Sequence, residues 1–147
     1  MRESQERLSQ AQRIARIGHW LWDEVEDRLT YHSVELGRIF GVAHGAFPAS
    51  SAAWLKYVHA DDRDPYSEAI RDAAECKSGS DIEYRILRKD GQTRWLRVVT
   101  EVQYDISGHI ISTVGTAQDI TQQKEAEEAL RAQTAAVALL QNVARRQ

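Results

Sequence analysis

Glu83-Tyr84-Arg85-Ile86-Leu87-Arg88-Lys89-Asp90-Gly91-Gln92-Thr93-Arg94-Trp95-Leu96-Arg97-Val98 reads as two alternating strands joined across a Lys-Asp-Gly-Gln turn. Asp-Gly between apolar alternations is a strong hairpin signal, because tight turns need positive φ and glycine supplies it without strain. A hairpin here fixes the local architecture as antiparallel and sets the frame for the rest of the chain.

Downstream, residues 110–118 alternate again after an Asp105-Ile106-Ser107-Gly108-His109 link, so strands at 81–88, 93–104 and 110–118 form a meander. From Thr121 the pattern becomes helical and stays so to the end. Upstream, apolar residues at Leu8, Ala11, Ile14 and Ala15 predict a helix over 3–16 that Gly18 would end. His19 to Val25 and Leu29 to His32 predict a second hairpin, with Trp20 and Trp22 on one face and Leu21 on the other. Ser33 is placed to cap a short helix over 34–40, stopped by Gly41. Residues 43–50 read as a loop, Ser51 to Val58 as another short helix, and residues up to Glu75 as a longer one. That longer helix has Asp64 (or Asp61) as cap and Pro65 at its first position, and it turns Tyr66, Ala69, Ile70 and Ala73 inward. The expected fold class is α+β: a five-stranded antiparallel sheet with short helices on one face, an N-terminal helix and a C-terminal helix.

Motifs in this order resemble the PAS fold of bacterial sensory proteins. Gly18-His19-Trp20-Leu21-Trp22-Asp23 resembles the family's opening strand, and His59-Ala60-Asp61-Asp62-Arg63 its His-Pro-Asp-Asp-Arg helix start, with Ala60 in the proline's place. Glu83-Tyr84-Arg85 and Asp90-Gly91-x-x-Arg94-Trp95 resemble its central hairpin. Gly115, Asp119-Ile120-Thr121, Lys124 and Ala126-Glu127 resemble its closing strand (the PAC motif) and exit helix. The resemblance implies an N-terminal helix over 1–17, a sensor domain over 18–120 and a signalling linker over 121–147. It implies a pocket between sheet and helices, for which Phe40, Trp54, Tyr84, Ile86, Leu96, Val98 and Val114 are the candidate lining residues. Choosing the inward face is a matter of register, since a slip of one residue inverts it. A pocket filled by its own side chains is the alternative.

The resemblance leaves the cofactor unknown, with none, haem or flavin all open. His59 and His44 are the histidines positioned to bind haem, yet His59 sits in a motif shared with members that bind none. The Asn-Cys-Arg motif of flavin–thiol photochemistry is missing around Cys76, so only a non-covalent flavin stays open. His59 beside Asp61 and Asp62 reads as a helix start whose carboxylates cap free amides rather than as a metal site. The histidines lack metal-ligand spacing. No nucleophile elbow or phosphate-cradling glycine motif occurs, so no catalytic residue is expected and the segment is read as non-enzymatic.

Composition agrees. In 147 residues, 42% are hydrophobic and 28% charged, with a net charge of −3, which suits one soluble core with mixed surface charge. There is no basic block for nucleic acid and no apolar run approaching the roughly 18 residues of a membrane span. A single cysteine excludes an internal disulfide, and a cytoplasmic location is expected.

The final helix carries a weak heptad seam through Gln123, Ala126, Leu130, Gln133, Val137, Leu140 and Ala144. Its dimer-seam candidates are Ala126, Leu130, Val137 and Leu140, which would form a parallel homodimer. The other possibility is that this helix packs on its own sheet. Asp119-Ile120-Thr121 is the candidate signal-transfer junction: Asp119 or Thr121 can cap the helix while Ile120 anchors it. A histidine kinase, diguanylate cyclase or further sensor domain is the expected downstream output, with a small-molecule ligand as a possible input.

Overall fold

The computed structural model describes residues 2–43, 45–47 and 50–146. The elements follow in order: α1 (Arg2–Ala15), β1 (Ile17–Asp23), β2 (Arg28–His32), α2 (Val34–Phe40), α3 (Ser51–Leu55) and a 3₁₀ turn (Ala60–Asp62). Then come α4 (Arg63–Glu75), β3 (Asp81–Leu87), β4 (Thr93–Tyr104), β5 (Ile110–Asp119) and α5 (Thr121–Arg146). The strands form one antiparallel sheet in the order β2-β1-β5-β4-β3. The first and last strands are therefore neighbours at the centre. The helical middle carries the chain from the β2 edge to the β3 edge across one face, as the sequence predicts.

That face is the core. Trp20 and Trp22 of β1, Tyr84 and Ile86 of β3, Leu96 and Val98 of β4 and Ala117 of β5 pack with Leu36, Ile39, Phe40, Phe47, Trp54, Tyr57 and Val58. Phe40, Leu36, Ile86, Leu96 and Val58 are the largest side chains fully withdrawn from water. Burying such side chains contributes about 1.5–3 kcal/mol each before conformational entropy is set against it.

Local polar contacts stitch the layers together. The Ser33 hydroxyl accepts from the amides of Leu36 (3.3 Å) and His19 (3.0 Å), capping α2 while tying it to β1. Gly41 ends α2 in the left-handed region, at φ 71°. Against it lies the Arg88 guanidinium, which donates to the Arg38 and Ile39 carbonyls at 3.4 and 3.5 Å. A cation thus sits at the negative end of α2, supplied by the central hairpin.

Several expectations are corrected. The hairpin turn is Arg88–Gly91, one residue earlier than Lys89–Gln92: Gly91 N–H donates to Arg88 O (3.0 Å) and Arg88 N–H to Gln92 O (2.9 Å). Gly91, at φ 87°, is the last residue of the turn and forms the bulge. The Asp105–His109 link repeats this pattern, with Gly108 at φ 85°. Gly18 does not end α1. The left-handed residue there is Arg16 (φ 56°), and Gly18 lies inside β1, where a Cβ would come 2.6 Å from the Leu36 Cα. The third helix stops at Leu55, short of Val58. The fourth begins at Arg63, so Asp64 and Pro65 lie within its first turn, and Asp62 precedes it without a side-chain capping bond. Ile70 is 41% exposed at the edge of the layer and does not face fully inward. Val114 is on the outer face, 37% exposed, while Thr113 and Ala117 of β5 point into the core.

Candidate functional site

A cleft of about 260 Å³ opens between the inner face of the sheet and the helices α3 and α4. Alternation along the strands delivers its wall: Trp20 and Trp22 from β1, Ile82 and Tyr84 from β3, Val98 and Thr100 from β4, Thr113 from β5. Trp54 of α3 and Tyr66 of α4 close it from the helical side. The rings form one aromatic assembly. Trp54 lies 5.1 Å from Trp20 and edge-on to Trp22 at 6.3 Å, and Tyr66 stands edge-on to Tyr84 at 4.9 Å. Trp54 Nε1 donates to the Tyr84 hydroxyl at 3.2 Å, satisfying the buried indole N–H. Burial pushes the Tyr66 phenol up to about 12 and raises that of Tyr84 well above its usual value, so both are neutral at physiological pH.

The rim of the cleft is polar and acidic. Asp27 accepts from Trp22 Nε1 (3.1 Å) and from the Ser51 hydroxyl (2.8 Å), and Glu24 accepts from the Thr113 hydroxyl (2.6 Å). Neither carboxylate has an ion-pair partner among the described residues.

Of the candidate lining residues, Trp54, Tyr84 and Val98 border the cleft. Phe40, Ile86 and Leu96 are packed beneath in the core, and Val114 is on the opposite face. Trp20, Trp22, Glu24, Asp27, Tyr66, Ile82, Thr100 and Thr113 were not among the candidates. The Trp20/Trp22 alternation and the inward face predicted for Tyr66 are the signals that point some of them there. Cys76 is exposed at the end of α4, away from the cleft.

His59 does not border the cleft either. Its Nδ1 accepts the Asp61 amide at 3.1 Å, capping the 3₁₀ turn. Asp62 corrects the capping expectation: its carboxylate accepts from Arg85 Nη2 (2.7 Å), Nε (3.0 Å) and the Arg85 amide (2.8 Å). The Arg85 guanidinium holds the Asp62 carboxyl below its ordinary range. His44 lies outside the described residues. The cleft falls below the roughly 300–1,000 Å³ of pockets for drug-sized ligands. Among the described residues, no histidine that could ligate a haem iron borders it.

At the other end of the sheet, the Asp119 carboxylate accepts from the Thr121 amide (3.0 Å) and hydroxyl (2.5 Å). Thr121 Oγ1 accepts from the Trp95 amide at 2.9 Å, and the Ile120 amide donates to the Trp95 carbonyl at 2.9 Å. Lys124 Nζ pairs with Glu83 at 2.7 Å and lies 5.0 Å from the centre of the Trp95 ring, with the Arg85 guanidinium 5.3 Å from the same ring. Beyond Lys124, every described residue of α5 is exposed, including Leu130 (65%), Val137 (48%) and Leu140 (70%). The alternative in which this helix packs on its own sheet is therefore not what the fold adopts.

A sequence profile of the PAS fold matches residues 29–117, more than half of the chain. The chain belongs to the PAS fold family. This PAS domain is similar to a sensory box histidine kinase/response regulator structure from Burkholderia thailandensis, with TM-score 0.73 and 26% identity over 90% of this chain and 98% of that one. The N-terminal domain of a diguanylate cyclase with PAS/PAC sensor from Marinobacter aquaeolei shares the fold, with TM-score 0.69 and 23% identity over 74% and 98% of the two chains. Among curated proteins, a blue-light-activated histidine kinase of Brucella ovis is 29% identical over 84% of this chain and 24% of its own length. An uncharacterised protein of Sinorhizobium fredii is 30% identical over 54% of this chain and 10% of its own length. The chain thus spans a quarter or less of the length of these two curated relatives. No described helix is long and apolar enough to cross a membrane. The PAS domain is a sensory module, and its relatives form parts of larger signalling proteins.

Proposed function

We propose that this chain is a cytoplasmic, non-catalytic sensory and dimerisation module that relays the state of its inner cleft through Asp119-Ile120-Thr121 into α5. In this reading residues 1–17 are an N-terminal helix, 18–120 the sensor domain and 121–147 a coiled-coil linker to a histidine kinase or diguanylate cyclase output. The observation that carries it is α5: a 26-residue helix fixed to the sheet through its first turn, with Ala126, Leu130, Val137 and Leu140 presented to solvent. An isolated helix with so little packing is marginal in water and gains stability by pairing. Any shift of β4 or β5 against the helical layer is handed directly to its first turn through Trp95. The coupling would act as a two-state bias rather than a catalytic step.

Sedimentation velocity tests the pairing. The wild-type chain should run as a dimer and Leu130→Glu or Leu140→Glu as a monomer; equal mass for all three removes the seam as the interface.

A second reading, an interaction module with a self-filled interior, is favoured by the packing of Trp54 against Phe40 (5.1 Å) and Phe47 (5.3 Å). Native mass spectrometry of the purified chain separates the two, since a retained non-protein mass favours the sensor.

A further inference from the structure

We infer that the cleft takes a small organic cation, an ammonium group carried on a short apolar or aromatic body. This rests on the reading of the cleft as the sensory site and specifies its ligand class. The cleft is bordered by aromatic and aliphatic side chains, four hydroxyl residues and the carboxylates Glu24 and Asp27, and no Lys, Arg or His is among the described residues that border it. Every formal charge that the described residues turn to the cleft is therefore negative.

Neither carboxylate is neutralised by an ion pair among the described residues. The nearby Arg28 pairs instead with Glu26 at 3.0 Å. The hydrogen bonds to Glu24 and Asp27 come from a threonine hydroxyl, a serine hydroxyl and an indole N–H, which orient the carboxylates without cancelling their charge. Each keeps lone pairs free for a further donor.

The wall completes the match. Aromatic rings attract cations through their quadrupole, by about 0.5–1 kcal/mol when exposed and about 2 or more when desolvated. They also bury apolar ligand surface. An anion would meet two like charges and no donor cation. A neutral ligand would gain from the rings but leave the carboxylates unused. A bare metal ion would find an aromatic wall where oxygen ligands are needed. Only an organic cation uses both the rim and the wall. The volume of about 260 Å³ restricts it to a small molecule.

The test uses the full chain and three probes of matched size: phenethylammonium, neutral 2-phenylethanol and anionic 3-phenylpropanoate, each titrated by calorimetry. Phenethylammonium should bind at least tenfold more tightly than the other two. The double variant E24Q/D27N keeps acceptor oxygens for Thr113 and Trp22 while removing both charges. It should lose at least tenfold for phenethylammonium and leave 2-phenylethanol unchanged. Plugging the mouth with I70W should abolish binding of all three. Equal affinities across the probes, no heat with phenethylammonium, or binding indifferent to E24Q/D27N each overturns the cation assignment. If the neutral or anionic probe binds best and I70W blocks it, the cleft stands as a ligand site and only the cation assignment falls.

Discussion

The Thr121 hydroxyl accepts the Trp95 amide at 2.9 Å, so the first residue of α5 substitutes for a missing strand partner of β4. The same hydroxyl donates to Asp119, whose carboxylate also holds the Thr121 amide. One side chain thereby joins β4, β5 and α5. This makes the exit helix an extension of the sheet rather than an appendage, although every described residue beyond Lys124 is exposed.

Thr121→Val keeps the shape and removes the hydroxyl. The Trp95 amide then lacks an acceptor in a half-buried position, a loss of about 1–3 kcal/mol. Urea denaturation should show the lower midpoint with an unchanged slope, and amide exchange at Trp95 should accelerate more than exchange at Leu96.

The Asp62–Arg85 pair fastens the start of α4 to the edge strand β3. Arg85 lowers the Asp62 pKa below the ordinary 3.8. The stability this contributes is fully present above that ordinary value and is lost as pH falls through the lowered one. Asp62→Asn should cost about 1.5–3 kcal/mol at neutral pH, the range for hydrogen bonds to charged groups. The gap between wild type and variant should close as pH is lowered below 3.8. A gap that stays constant from pH 7 to pH 2 would show that the charge is not what the pair contributes.

The register of β5 can be tested by two neighbouring substitutions. A Cβ on Gly115 would lie 2.2 Å from the Trp20 ring, whereas Val114 is partly exposed on the other face. Gly115→Ala should destabilise by about 1–3 kcal/mol through overpacking. Val114→Ala should change thermal stability by under about 0.5 kcal/mol. The reverse ordering would place Val114 in the core.

That contrast explains where the sequence was legible. Alternation in β1, β3 and β4 set Trp20, Trp22, Tyr84, Ile86, Leu96 and Val98 on one face, because in those strands the larger apolar residues are the buried ones. In β5 the rule inverts. The Trp20 indole occupies the space over Gly115, so the inner face there must be small or polar, and the larger Val114 is pushed outward. Local capping rules misled at Asp62 for a related reason: its carboxylate is claimed by Arg85, 23 positions away, which no helix-start pattern reveals. Gly18 resembled a helix stop, yet its requirement is the close approach of Leu36. The acidic rim of the cleft was invisible for the same reason, since Glu24, Asp27 and Thr113 meet only once β1 and β5 pair.

The central claim is that α5 pairs in parallel with a second copy and so can carry a signal out of the sheet. With Cys76 replaced by serine, a spin label at Arg145→Cys reports the pairing through its inter-label distance. Parallel pairing sets the two labels side by side at the far end of the dimer. Antiparallel pairing separates them by most of a 26-residue helix, about 39 Å at 1.5 Å per residue. The account predicts a single distance well under that length, and it is contradicted by a distance near it or by the absence of dipolar coupling.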